Sequence, residues 1–190
     1  MVPMERALRS QGFDVVNLGY RSRHGTVAEH AVHVRNTLEA IGGATPWACV
    51  AHSLGGIIMR YLIAELGVPI QIRRLVMIGP PNQGALVARC LAASPPLRFM
   101  FGPALKDVSH VHIPKLPLQT EVGIVRGSFP SFFPGLIADS DGIVSRAESV
   151  LPEAKEYFDV PGPHALLMRD PQIIAATVRF IRDGSFFDTL

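Results

Sequence analysis

Cysteine is nearly absent from this 190-residue chain, with only Cys49 and Cys90. Two such residues cannot build a disulfide framework, and no short-spaced Cys pair or His-rich ligand motif accompanies them, so no structural metal is expected. Cys49 sits in an apolar run and reads as a small hydrophobe. Long hydrophobic stretches are also lacking. The richest, Trp47 to Ile70, is broken by His52, Ser53, Arg60 and Glu65, which excludes a spanning segment of about 20 apolar residues. Charge of one sign is scarce: 18 Lys and Arg face 16 Asp and Glu for a net charge of +2. Arg21, Arg23 and the pair Arg73-Arg74 are the local clusters, and without interleaved aromatics they read as solvated surface, not a nucleic-acid face. Met1 to Arg6 shows no basic segment leading into an apolar core. No signal peptide is therefore visible, and the cytoplasm is the default compartment. Repeats and low-complexity tracts are missing too.

What is present is apolar: 48% of residues are hydrophobic and 18% charged. Parallel sheets covered on both faces produce that balance, because their strands read as unbroken apolar runs. The length fits one domain over residues 1–190. Pro3 to Ser10 reads as a helix with Met4, Ala7 and Leu8 on one side, stopped by Gly12. Phe13 to Leu18 reads as a strand. Thr26-Val27-Ala28-Glu29 is a capping box, in which Thr and Glu satisfy the first free amides of a helix. Val27, Ala31, Val34, Leu38 and Ile41 follow as one buried stripe, ended by Gly42-Gly43. Trp47 to Ala51 is a short buried strand. Leu54 to Leu66 is a helix with Ile57, Ile58, Tyr61 and Leu62 inward and Gly67 as its stop. Arg74 to Ile78, Glu121 to Arg126 and Tyr157 to Val160 read as further strands, and Gly84 to Ala93 as a helix. Asp170-Pro171 opens a last helix, an N-cap followed by proline at the first position. It carries Ile173, Ile174, Val178 and Ile181 to Gly184. Strands and helices alternating in this way imply an α/β fold with a mostly parallel sheet and helices on both faces.

Ala51-His52-Ser53-Leu54-Gly55 lies where a buried strand turns into a helix. A serine hydroxyl is a weak nucleophile unless a base takes its proton and the site around it is open. A sharp strand-to-helix elbow opens the site, and it needs small residues two before and two after the serine. Ala51 and Gly55 are those residues, with Gly56 widening the room; Ala51 adds one methyl to the strict G-x-S-x-G form. The bland alternative is a serine that only caps the helix. His52 is adjacent to Ser53, but neighbouring side chains on such a turn diverge, so packing is the better reading for it.

In α/β-hydrolases the acid and then the histidine follow the serine along the chain. Of seven histidines, at 24, 30, 33, 52, 110, 112 and 164, only His164 lies beyond the acidic residues near 140. It sits in the rigid loop Pro161-Gly162-Pro163-His164 after the last strand, where a general base can be held over the serine. Asp139-Ser140-Asp141-Gly142-Ile143-Val144 offers two carboxylates. Asp141, with Gly142 for a turn and Ile143-Val144 for apolar anchoring, is the residue expected to orient the imidazole. Asp139 is expected to cap or shape the turn.

At these residues the chain resembles bacterial α/β-hydrolase esterases and lipases. The resemblance runs through Tyr20-Arg21-Ser22-Arg23, Ala51-His52-Ser53-Leu54-Gly55-Gly56, Gly79-Pro80-Pro81-Asn82-Gln83-Gly84, Asp141-Gly142-Ile143-Val144 and His164-Ala165-Leu166-Leu167-Met168. It implies a carboxylic-ester hydrolase working through an acyl-enzyme on Ser53, without a cofactor, with the backbone N–H of Leu54 in the oxyanion hole. For the Asn82-Gln83-Gly84 turn it implies a place at the rim of the site. The family also has an earlier strand ending in a His-Gly motif, whose loop supplies a second oxyanion amide. The first residues here read as the helix after that loop, so an N-terminally incomplete sequence lacking the early strands is expected. In that case an export signal can lie upstream. If the short chain is whole, strand donation by another protomer would fill the gap, which requires a homodimer.

Residues 94–120 hold Pro95, Pro96, Pro103, Pro114 and Pro117 and show no clear period. Leu97, Phe99, Met100, Phe101 and Leu105 give the segment an apolar face. It suits a lid or acyl-binding wall, or equally a surface excursion packed on the sheet. Phe129, Phe132 and Phe133 can extend the same wall, and the lining points to medium-chain acyl esters or lipids as substrate. Thioesterase, amidase and acyltransferase chemistry on the same three residues stays open. So does a catalytically silent hydrolase-like binding module.

Overall fold

The computed structural model describes residues 2–42, 46–68, 70–93, 103–109, 115–117, 119–129 and 139–188. Four strands, β1 (Trp47–His52), β2 (Ile72–Ile78), β3 (Glu121–Ser128) and β4 (Ala154–Pro161), form one sheet in the order β1-β2-β3-β4. Every neighbouring pair is parallel, as the apolar runs predict. Alternate residues of each strand feed opposite layers. Leu75 and Met77 of β2, with Val122 and Ile124 of β3, join one core. Val76, Ile78 and Val125 join the other.

The first core is covered by α2 (Val27–Ile41) and α3 (Leu54–Tyr61), which continues as a π-helical turn over Leu62–Leu66. The expected capping box is formed: Glu29 N–H donates to Thr26 Oγ1, and Thr26 N–H donates to the Glu29 carboxylate. Val27, Ala31, Val34 and Leu38 are buried, whereas Ile41, at the frayed end beside Gly42, is exposed. The second core is covered by α1 (Val2–Ser10) and the last helix, α6 (Pro171–Asp183). Asp170 Oδ1 accepts from the amides of Gln172 and Ile173, closing the N-terminus of α6 as predicted. Its stripe is Ile173, Ala176, Thr177, Phe180 and Ile181, so Ile174 and Val178 flank the buried face. Two shorter helices, α4 (Leu86–Ala92) and α5 (Ala104–Ser109), lie in the connection between β2 and β3.

Phe13 to Leu18 is not a strand. Its side chains do alternate as in a strand: Phe13 and Val15 pack into one core, Leu18 and Tyr20 into the other. The backbone, however, bonds to α1. Phe13 N–H donates to Leu8 O at 3.2 Å, and Arg9 donates to Val15 O. β-propensity supplies the alternation but not a partner, and β1 carries no strand on its outer side among the described residues. Of the apolar face in 94–120, Leu97, Phe99, Met100 and Phe101 lie outside the described residues, as do Phe132 and Phe133. Leu105, in α5, packs against the small cluster of Ala85, Ala88 and Val144.

Candidate active site

Ser53 occupies the turn between β1 and α3 with φ 51° and ψ −121°. A positive φ is uncommon for a residue with a side chain and costs of order 1–3 kcal/mol, held only where the surroundings over-determine it. Here the Ser53 N–H donates to Ile78 O (2.9 Å) and its carbonyl accepts from Gly56 N–H (3.0 Å). The serine side chain makes no capping hydrogen bond to the helix it precedes, so its hydroxyl is not spent on the cap. Leu54 is the first residue of α3, and the first four amides of a helix have no acceptor within it. The positive end of the helix dipole points the same way.

The crowding at the elbow falls one residue later than the motif suggests. A methyl at Gly55 would meet only ordinary contacts, the Tyr20 hydroxyl at 3.6 Å and Ala51 Cβ at 3.7 Å, whereas one at Gly56 would lie 2.7 Å from Met77 Cε. Tyr20 therefore stands beside the first turn of α3, its ring 5.0 Å from that of the buried His30, and burial pushes its phenol pKa up.

His164 and Asp141 are brought together. His164 Nδ1 lies 2.7 Å from Asp141 Oδ2, and both residues are buried. The other carboxylate oxygen, Oδ1, accepts from the amides of Ile143 (3.0 Å) and Val144 (2.8 Å), and the His164 amide donates to Asp141 O (2.9 Å). Val144 anchors the loop in apolar packing, but Ile143 is exposed. Asp139 faces away and pairs with Arg146 (3.2 Å). The imidazole and the carboxylate stand over Gly79, where a methyl would come within 3.1 Å of His164 and 3.2 Å of Asp141. Gly79 directly follows Ile78, the residue bonded to the Ser53 amide, so the pair and the serine lie at the same end of the sheet.

The segment after β2 also braces the acid loop. Asn82 is buried and donates to Ser149 O (2.9 Å) while accepting from the buried Arg60. The Gln83 amide donates to Glu148 O (2.8 Å), and the Glu148 carboxylate receives Ser145 N–H and Oγ–H. The Asn82-Gln83-Gly84 turn thus has a structural task that its spacing does not announce. His52 is a second residue with more to do than packing. Its Nε2 lies 3.1 Å from His164 O and its ring 4.7 Å from the His164 ring. Burial, and then the neighbouring His164, push its pKa down to about 4, against the opposing pull of the backbone bond and Asp141. The signal for it was its place directly before Ser53.

No cluster of metal-ligating side chains occurs among the described residues, and none of their helices is long and apolar enough to cross a membrane. No curated protein matches the chain. Among solved structures, the mature lipase BlEst2 of Bacillus licheniformis superposes with a TM-score of 0.64 at 19% identity, over 93% of this chain and 80% of that one. A metagenomic carboxyl esterase gives 0.64 at 15% identity, over 77% of this chain and 54% of its own. The NocB thioesterase domain, solved as a covalent complex with a fluorophosphonate nocardicin G analogue, gives 0.56 at 16% identity over 95% and 87%. At such identities the likeness is one of fold. The sequence model for the alpha/beta hydrolase fold matches residues 8–140, and with the parallel sheet and flanking helices in agreement, the chain belongs to the alpha/beta hydrolase family.

Proposed function

We propose that this protein hydrolyses carboxylic esters through an acyl-enzyme on Ser53, with His164 as general base and acid and Asp141 as the group that orients it. The observation that carries the reading is the buried His164–Asp141 pair, 2.7 Å apart, standing over Gly79 beside the strained serine turn. With Nδ1–H given to Asp141, His164 presents Nε2 as a lone pair able to take a proton. Ser53 Oγ attacks the acyl carbon as its proton passes to Nε2. The oxyanion gathers at the Leu54 amide and the N-terminus of α3. The C–O bond to the leaving alcohol then breaks, and His164 returns the proton to that oxygen. Water, deprotonated by the same imidazole, attacks the acyl-serine; the carboxylic acid leaves and Ser53 regains its hydrogen.

Thioester cleavage is the second reading, since it uses the same acyl-serine and a thioesterase domain shares the fold over 95% of this chain. A panel of p-nitrophenyl esters, acyl-CoA thioesters and anilides separates the leaving groups. Labelling by a fluorophosphonate probe tests the core of the proposal: wild type should label and Ser53→Ala should not, with ester turnover reduced on the order of 10⁶-fold. A folded wild type that neither labels nor turns over any of the panel would instead mark a silent binding module.

A further inference from the structure

We infer that His52 is a positioning residue for the catalytic base, holding His164 in register with the nucleophile through a hydrogen bond to its carbonyl oxygen. The inference rests on the reading of His164 as the base for Ser53. A carbonyl oxygen can only accept, so His52 Nε2, 3.1 Å away, carries a hydrogen; burial and the neighbouring His164 favour the neutral ring, which leaves the lone pair on Nδ1.

His164 is otherwise fastened to the acid loop. Its amide donates to Asp141 O (2.9 Å) and its Nδ1 meets Asp141 Oδ2 (2.7 Å). Those two bonds fix base against acid but say nothing about base against nucleophile. The Gly162 amide, two residues before His164, is bonded to Ser128 O of β3 (2.7 Å), again away from the elbow. His52 is the residue before Ser53, so a shift of the elbow moves the donor that holds His164. Nucleophile and base then move together. Among the described residues the titratable side chains facing His52 are His164 and Asp141, and the charge of the chain's N-terminus adds to the depression. Once His164 takes the serine proton, its ring is cationic 4.7 Å from the His52 ring. A neutral donor can remain in place there; a second cation would lower the basicity of the first.

The test compares His52→Phe, which keeps an aromatic ring but has no donor, with His52→Gln, which carries an N–H at nearly the reach of Nε2. Turnover of a p-nitrophenyl ester should fall about 10- to 100-fold in kcat for the Phe variant with KM within about threefold, and by less than about threefold for the Gln variant. The proton shared by His164 Nδ1 and Asp141 should give a sharp downfield resonance in wild type and His52→Gln and a broadened one in His52→Phe. Equal losses in the two variants, following their melting temperatures, would overturn the inference by reducing His52 to a space filler. Full kcat in His52→Phe would overturn it as well. If wild type neither labels nor turns over, the hydrolase reading fails, and the resonance alone still decides whether His52 positions His164.

Discussion

Replacing Asp141 by Asn changes one atom and sets two hydrogen-bonding demands against each other. In the native loop Oδ1 accepts from two amides, Ile143 and Val144, while Oδ2 accepts from His164 Nδ1. An Asn can satisfy only one side. With its oxygen left on the two amides, the NH₂ group faces His164 and forces Nδ1 to be the unprotonated nitrogen, which leaves the hydrogen on Nε2 and nothing there to accept the serine proton. Turned over, its oxygen meets Nδ1–H, but the NH₂ group faces two backbone donors in a site where Asp141 is 2% exposed. The second arrangement leaves buried donors unmatched at about 1–3 kcal/mol each, so the first prevails and the base is held in the wrong tautomer. Turnover should fall about 10⁴-fold, with melting only slightly lowered. Asp139→Asn is the internal control. Its side chain is 56% exposed and paired with Arg146 at 3.2 Å, a contact worth about 0–1 kcal/mol, and Asn tolerates its φ of 55°. That variant should stay within about threefold of wild type. Fluorophosphonate labelling rates and ester turnover on samples of matched melting temperature decide the matter. Asp141→Asn within tenfold of wild type, or Asp139→Asn falling as far as Asp141→Asn, would refute the assignment of the acid.

Gly79→Ala places a methyl 3.1 Å from His164 and 3.2 Å from Asp141 at a φ of 57°. The strain costs about 1–2 kcal/mol and the imidazole must move, so turnover per folded molecule should drop about 100-fold; an unchanged rate in a merely less stable protein would count against the site. Glu121 tests the far end of the sheet by pH. Hydrogen bonds from Lys155 and Arg74 hold its carboxyl below the ordinary 4.5, and Arg74 also donates to Ile181 O and Arg182 O at the end of α6. A lowered folded pKa contributes stability that is present above the unfolded value and lost as pH falls through the folded one. Melting of wild type should therefore decline in acid through that window, and Glu121→Gln should flatten the decline; identical acid limbs would show the cluster to be without consequence.

Local chemistry made most of this fold legible. Thr26 with Glu29, and Asp170 with Pro171, announce their helices because capping is decided within four residues. β2 and β3 announce themselves because both faces are buried and both register as apolar. What failed was the part settled by distant partners. Phe13 to Leu18 has the composition of a strand and even its alternation, yet a strand exists only through a ladder, and its backbone bonds to α1 instead. The site divides along the same line. Ser53, Asp141 and His164 could be singled out as candidates from the elbow spacing and chain order, and the proximity of Asp141 to His164 is what the structure adds. The brace from Gln83 and Asn82 to the loop carrying Asp141 could not, since it joins residues separated by 65 or more positions. Nor could the bond from His52, whose acceptor is a backbone oxygen that any residue at 164 would supply.

Those distant contacts have a common effect on the acid loop. Asp141 is fixed from within its loop by the amides of Ile143 and Val144, from one side by the segment after β2 through Glu148, and from below by Gly79 and Gly127; a methyl at Gly127 would come within 2.8 Å of Asp141 Cβ. A carboxylate so held cannot turn to solvent to stabilise itself, and its remaining lone pairs are directed at one imidazole. In the proposed mechanism preorganisation of this kind matters most when charge appears on His164, because the compensating oxygen is already in position and no solvent has to reorganise. The elbow is held differently. Ser53 sits in a strained turn after β1, which among the described residues has β2 as its one strand neighbour, and is tied to β2 by the Ile78 carbonyl. In the proposed mechanism the rate of acylation, read as the rate of fluorophosphonate labelling, should therefore fall with substitutions along β1 that shift this turn.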